Sequence, residues 1–121
     1  MKKILIVDDQ PQISRILTDI LVSEGFQVEV ARNGAIGVAK TIEIKPDLIF
    51  MDIMMPVKDG FEATREIRNI KEFESTPIVF LTAKGQSSDR EKAIEVGGNE
   101  FITKPFSPKK ILEVVKSILS T

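Results

Sequence analysis

Four short apolar runs, each closing on a polar residue able to do chemistry, constrain this chain more than any other feature of its sequence. Ile4-Leu5-Ile6-Val7 leads into Asp8-Asp9, and Leu48-Ile49-Phe50-Met51 into Asp52. Ile78-Val79-Phe80-Leu81 leads into Thr82, and Phe101-Ile102-Thr103 into Lys104-Pro105. Runs this short, rich in Ile, Val, Leu and Phe, read as strands buried on both faces. If they lie side by side and parallel, their carboxyl ends share one edge. Three carboxylates, a hydroxyl and an ammonium then meet there, a mixture suited to metal-assisted phosphoryl transfer.

The intervening stretches carry helical spacing. Ile13, Ile16, Leu17, Ile20 and Leu21 mark a first helix, opened by Pro11 and ended by Gly25. Ala35, Val38, Ala39 and Ile42 line a second, and Ala63, Ile67 and Ile70 a third. Ile111, Leu112, Val115, Ile118 and Leu119 line the last, opened by Ser107-Pro108. Ser87 to Val96 is the weakest helix. Its Ser88-to-Glu91 spacing resembles a capping box, but its apolar face is only Ala93, Ile94 and Val96, which marks it as a candidate for movement. Val28 to Ala31 is expected as a strand near a sheet edge. Strand and helix therefore alternate five times. That pattern predicts a doubly wound α/β sandwich, a five-stranded parallel sheet with right-handed crossovers and helices on both faces. No repeat, linker or low-complexity segment interrupts it, and a single domain over residues 1–121 is expected.

Composition removes several function classes. With a formal net charge of −1 there is no basic footprint for nucleic acid or an anionic membrane. The chain has no cysteine and no histidine, which excludes disulfides, thiol catalysis, histidine acid–base chemistry and most zinc or iron sites on it. No apolar stretch approaches the length of a membrane span, and Met1-Lys2-Lys3 runs straight into a strand too short for a signal peptide. A cytoplasmic location is the expectation.

In an open α/β sheet, ligands bind beyond the carboxyl ends of the strands, where strand order switches. Three carboxylates gathered there repel one another, and a hard divalent cation removes that cost. Mg²⁺, which takes a few protein oxygens plus water and phosphate, fits better than a full calcium cage. Taken singly, each residue has a plainer explanation: Asp8-Asp9 as helix caps, Lys104 as a surface lysine, Thr82 as a strand terminus. Their correlated placement argues otherwise. Pro105 also restricts the backbone at Lys104 and allows a cis bond.

Val7-Asp8-Asp9, Met51-Asp52-Ile53-Met54-Met55-Pro56 with Asp59-Gly60, Leu81-Thr82-Ala83 and Thr103-Lys104-Pro105-Phe106 together resemble the bacterial response regulator receiver domain, the CheY-like family. The resemblance covers essentially the whole chain. It implies the flavodoxin-like strand order 2-1-3-4-5 and a phosphorylation-activated switch of a two-component system, not a classical enzyme. By resemblance, Asp52 is the phosphoacceptor, receiving the phosphoryl group of a histidine kinase or phosphotransfer protein. Asp9, Asp52 and the backbone carbonyl of Met54 are the implied direct ligands of Mg²⁺, for which Mn²⁺ can substitute, with Asp8 acting mainly through water. The resemblance also implies that Lys104 and Thr82 would contact phosphoryl oxygens and that Thr82 with Phe101 would form the switch. Phe101 lacks the hydroxyl of the tyrosine often found there. The face formed by the fourth helix, fifth strand and fifth helix is implied to bind a downstream protein or an attached effector domain. The domain is expected to be a monomer, able to dimerise on phosphorylation.

Two departures stand out. Gly97-Gly98-Asn99-Glu100 replaces the more usual acidic run before the switch aromatic, and adjacent glycines are expected to loosen the end of the weak helix. Met54 and Lys84 occupy positions that tune phosphoryl lifetime in the family. Met54 cannot orient a water by hydrogen bonding, and Lys84 reads most simply as a solvated loop lysine.

Three competing readings are weaker. An aspartate-nucleophile, Mg²⁺-dependent phosphatase would place its nucleophile after the first strand with a second carboxylate two residues on, whereas Asp8 and Asp9 are adjacent. A flavin-binding domain would need a glycine- or hydroxyl-rich phosphate loop where those aspartates stand. A receiver-like scaffold that takes no phosphate has no reason to keep the full residue set.

Overall fold

The computed structural model describes residues 1–83 and 87–119. Its elements alternate as expected: β1 (Lys3–Val7), α1 (Pro11–Ser23), β2 (Gln27–Ala31), α2 (Gly34–Ile44), β3 (Leu48–Asp52), α3 (Gly60–Arg68), β4 (Ile78–Ala83), α4 (Ser87–Glu95), β5 (Glu100–Lys104) and α5 (Pro108–Leu119). A short 3₁₀ turn at Lys71–Phe73 separates α3 from β4. The five strands form one sheet in the order β2-β1-β3-β4-β5, and every pair is parallel.

Alternation along the strands feeds two cores. Leu5, Val7, Ile49, Met51, Ile78 and Phe80 point to the side covered by α2, α3 and α4, where they meet Phe61, Ala63, Ile67, Ala93 and Val96. Ile4, Ile6, Leu48, Phe50, Val79 and Leu81 point to the other side, against Leu17 and Leu21 of α1 and Ile111, Val114 and Val115 of α5. Both faces being covered explains why the central strands read as unbroken apolar runs. Local signals behave as anticipated at several ends. Pro11 is the first residue of α1, and Gly25 follows it with φ +92°. Ser107 Oγ accepts the N–H of Lys110 at the start of α5; the Asn33 and Asp59 side chains, which the sequence reading did not single out as caps, each accept the N–H three residues on and cap α2 and α3.

The helix faces need correction. On α2, Ala35, Ala39 and Ile42 face outward, Val38 is half-buried, and the buried positions are Gly34, Gly37 and Thr41. The cause is steric. A Cβ on Gly37 would fall 2.8 Å from Val7 Cγ1, so the helix backbone itself lies on β1 and the larger residues turn away. Ile16 of α1 and Ile94 of α4 are likewise exposed.

The expectation of a loosened α4 terminus is also overturned. Gly97, at φ +105°, and Gly98 form a tight turn in which Gly97 N–H donates to Ile94 O at 3.0 Å and Gly98 N–H to Ala93 O at 2.8 Å. A Cβ on Gly98 would sit 2.5 Å from the Phe80 ring. The glycines are required by close approach. The capping expectation for the Ser88 side chain lies outside the described residues, as does Lys84.

Candidate functional site

The carboxyl ends of β1, β3, β4 and β5 do converge. Parallel pairing continues one residue beyond β1, where Asp8 N–H donates to Ala31 O at 3.0 Å, so Asp8 keeps its strand-like position and is fully buried. Its Oδ1 accepts Gln10 N–H at 2.8 Å, turning the chain toward α1. Asp52 closes β3 and is 4% exposed, and Thr82 near the end of β4 is 2% exposed. The loop after Asp52 folds back so tightly that a Cβ on Gly60 would lie 2.2 Å from Asp52 O, while Gly60 N–H donates to Ile53 O at 2.9 Å. Only glycine fits there, which gives the Asp59-Gly60 pair a physical reason.

Lys104 closes β5, ahead of a cis bond to Pro105. Its Nζ lies 3.4 Å from Asp8 Oδ2, 3.5 Å from Asp52 Oδ1 and 3.0 Å from Gln10 Oε1. Ligand oxygens of Asp8, Asp9 and Asp52 all fall within 4.8 Å of one another. A cavity of about 460 Å³ opens over them, lined by Asp9, Gln10, Ile13, Asp52, Met54, Thr82, Lys104 and Pro105.

Burial dominates the electrostatics. Desolvation, and then the charge of Asp8, push the Asp52 carboxyl up to about 7, although Lys104 pulls it down. Asp8 is raised as well, first by burial, against the opposing effects of the Gln10 N–H and Lys104. One ammonium does not compensate for the clustered carboxylates. In addition, Asp9 Oδ1 is buried without a hydrogen-bond partner. Under-neutralised carboxylates and an orphaned buried oxygen are what a hard cation would satisfy, so the donor set fits Mg²⁺.

Of the residues singled out in the sequence, Asp8, Asp9, Asp52, Thr82 and Lys104 come together, and the side chain of Met54 lines the same cavity while remaining 78% exposed. Phe101 does not join them. It pairs with Phe80 across β4 and β5, two residues below the pairing of Thr82 with Thr103. Half-buried, it lines a separate cavity of about 90 Å³ with Arg90, Ala93 and Ile94 of α4.

Sequence reasoning missed Gln10 and the path of the β3–α3 loop. Gln10 gives Lys104 its shortest contact, and its place two residues after Asp8 was the available signal. In the loop, Val57 has φ +71° and Lys58 N–H donates to Pro56 O at 2.8 Å, a γ-turn of the strained hand. Nothing in a valine announces that conformation. Lys58 O then accepts Gly34 N–H at 3.1 Å, and its side chain pairs with Glu66.

Comparison with known proteins bears on this geometry. The sequence model of the response regulator receiver domain matches residues 4–116. The transcriptional regulatory protein ResD of Bacillus subtilis is 44% identical over 117 residues, covering 97% of this chain and 48% of ResD. The chain thus spans about half the length of several curated relatives it matches. The solved chemotaxis protein CheY4 of Vibrio cholerae is 32% identical with a TM-score of 0.93, over 98% of this chain and 99% of that one. The receiver domain of a Pseudomonas aeruginosa sensor histidine kinase, solved with a magnesium ion coordinated in its active-site cleft, is 32% identical with a TM-score of 0.92, over 99% and 98% of the two chains.

Proposed function

Because the chain belongs to the response regulator receiver domain family, we propose that it is a phosphorylation-activated switch whose acceptor is Asp52. The observation that carries this reading is the buried Asp52 carboxylate, which shares Lys104 with Asp8 and lines an open cavity. In the proposed reaction an Asp52 oxygen attacks the phosphorus of a phosphohistidine on a partner kinase or phosphotransfer protein. The new P–O bond forms as the P–N bond breaks, and the bonding pair leaves with the imidazole nitrogen. Transfer of this kind needs alignment and charge neutralisation more than covalent assistance.

Lys104, already 3.5 Å from Asp52, supplies a positive charge to a phosphoryl oxygen. Thr82, lining the same cavity, offers a hydroxyl to another. Asp9, Asp52 and the Met54 carbonyl would hold Mg²⁺ directly, with Asp8 engaging it through water. When bound, the cation adds the positive charge that lets the carboxylates ionise together and offsets charge on the transferring group. The output is a population shift in which Thr82 moves toward the phosphoryl group and Phe101 turns inward, altering the face of α4, β5 and α5 for a protein partner or attached effector domain. Met54 is the proposed tuner of phosphoryl lifetime.

The test is incubation with Mg²⁺ and acetyl phosphate, followed by intact mass. One labile phosphate, lost in Asp52→Ala, is expected. Sustained turnover of varied phosphate esters would instead indicate a phosphatase, and no adduct with any donor a silent scaffold.

A further inference from the structure

At the opposite end of the sheet from Asp52, one half-buried cation ties five chain segments together. Arg68 stands on the last residue of α3. Its Nε and Nη2 donate to Gly97 O at 3.0 and 2.8 Å, and its Nη1 donates to Phe73 O at 2.7 Å. Nη2 also reaches Asn99 Oδ1 at 3.0 Å. That same oxygen accepts Ile78 N–H at 2.9 Å, and Asn99 N–H returns a bond to Ile78 O at 2.8 Å. The guanidinium thus joins the end of α3, the 3₁₀ turn, the turn leaving α4 and the feet of β4 and β5. Its stem fills the space beside Gly97, where a Cβ would lie 3.0–3.2 Å from Arg68 Nε, Cγ and Cδ. All its named acceptors are neutral oxygens, so this is a geometric clasp, for which the planar five-donor fork of arginine is suited and the point charge of lysine is not.

Among the described side chains of α4, the other anchors lie near the same end. Ala93 and Val96 are buried, and Lys92 Nζ lies 4.8 Å over the Phe61 ring, whereas Arg90 and Glu91 are exposed. The first five residues of α4, Ser87-Ser88-Asp89-Arg90-Glu91, include no apolar side chain, so a helix clasped at its carboxyl end can act as a lever.

We propose that Arg68 is a positioning residue, the pivot about which α4 moves when the site at the far end of β4 is phosphorylated. The clasp sits on Ile78 and Asn99, at the feet of the strands that carry Thr82 and Phe101. It keeps those feet in register, so that displacement of the amino-terminal end of α4 is converted into rearrangement around Phe101 and not dissipated as sliding of the whole helix. The inference rests on the phosphoswitch reading above.

The test is residue-resolved NMR of the wild type, Arg68→Met and Arg68→Lys, with and without acetyl phosphate and Mg²⁺, each sample checked by intact mass. In the wild type, phosphorylation shifts the amides of residues 87–91 and Phe101 strongly and those of residues 97–99 weakly. Without phosphodonor, Arg68→Met speeds exchange of the Gly98 and Asn99 amides by about tenfold or more relative to wild type. With it, Asp52 is still modified, but the response at Phe101 falls to about half or less. Arg68→Lys falls between, and serves as the comparison should the Met variant fail to fold. An undiminished response at Phe101 in the variants, or wild-type shifts at residues 97–99 as large as those at 87–91, overturns the pivot while leaving the phosphoswitch intact. Absence of any adduct on the wild type overturns both.

Discussion

Replacing Asp52 by Asn should make the metal-free protein more stable at high pH and change it little in acid. Burial and the neighbouring Asp8 move this carboxyl from 3.8 to about 7, and the residue is only 4% exposed, so solvent screening removes little of the effect. The folded state therefore binds the proton more tightly than the unfolded chain. Below the unfolded value both states are protonated and the carboxyl imposes no ionisation cost. As pH rises from 3.8 toward 7, the unfolded chain releases its proton first and stability falls, by about 1.4 kcal/mol per pH unit. Above 7 the loss levels off at roughly 4 kcal/mol, while at pH 4.5 it is only about 1 kcal/mol. Asn cannot ionise and escapes the loss. Urea unfolding of both proteins in EDTA at pH 4.5, 6 and 8.5 measures it. The stability gap should widen by about 3 kcal/mol across that range. Mg²⁺ should then restore the wild type more than the variant, which has lost one carboxylate. A gap that stays constant or narrows as pH rises would refute the claim that burial, and not Lys104, governs this site.

Three further outcomes are expected. Thr64 Oγ1 is fully buried without a hydrogen-bond partner, so Thr64→Val should raise stability by about 1 kcal/mol in denaturant unfolding. Gly37→Ala should lower it by about 1–3 kcal/mol, because the new methyl meets Val7 Cγ1 at 2.8 Å, and the same assay would show a gain if α2 could simply lift away. Met54→Asn should shorten the phosphoryl lifetime by placing a hydrogen-bonding group at the mouth of the cavity, whereas Met54→Leu should change it little. Following decay of the phosphorylated mass after donor removal decides this, and an unaltered rate in the Asn variant would contradict it.

Much of the fold was legible because parallel strands covered on both faces leave an unmistakable trace, and β1, β3 and β4 are such strands. The converging site was legible for the same reason, since Asp8, Asp52, Thr82 and Lys104 each stand at a strand terminus. Periodicity failed where backbone replaced side chain in the packing. The inner face of α2 is made largely of glycine and threonine, which no hydrophobic stripe reports. The glycines after α4 misled in the opposite direction. Their sequence suggests freedom, but Phe80 on one side and Arg68 on the other leave no room for anything larger. The strained turn at Val57 was invisible because valine is the kind of residue that avoids it.

The contact between Gly34 and Lys58 has a consequence for how such a site can diversify. It is made by main chain against main chain, with a would-be Cβ on Gly34 lying 2.2 Å from Lys58 O. The route of the loop beyond Asp52 is therefore held by main-chain contacts at Gly34 and Gly60, where no larger residue fits. Met54, 78% exposed, can be exchanged while the loop keeps its course. Shape and identity are inherited separately here: residues 34 and 60 guard the first, and the outward side chain of residue 54 is free to explore the second.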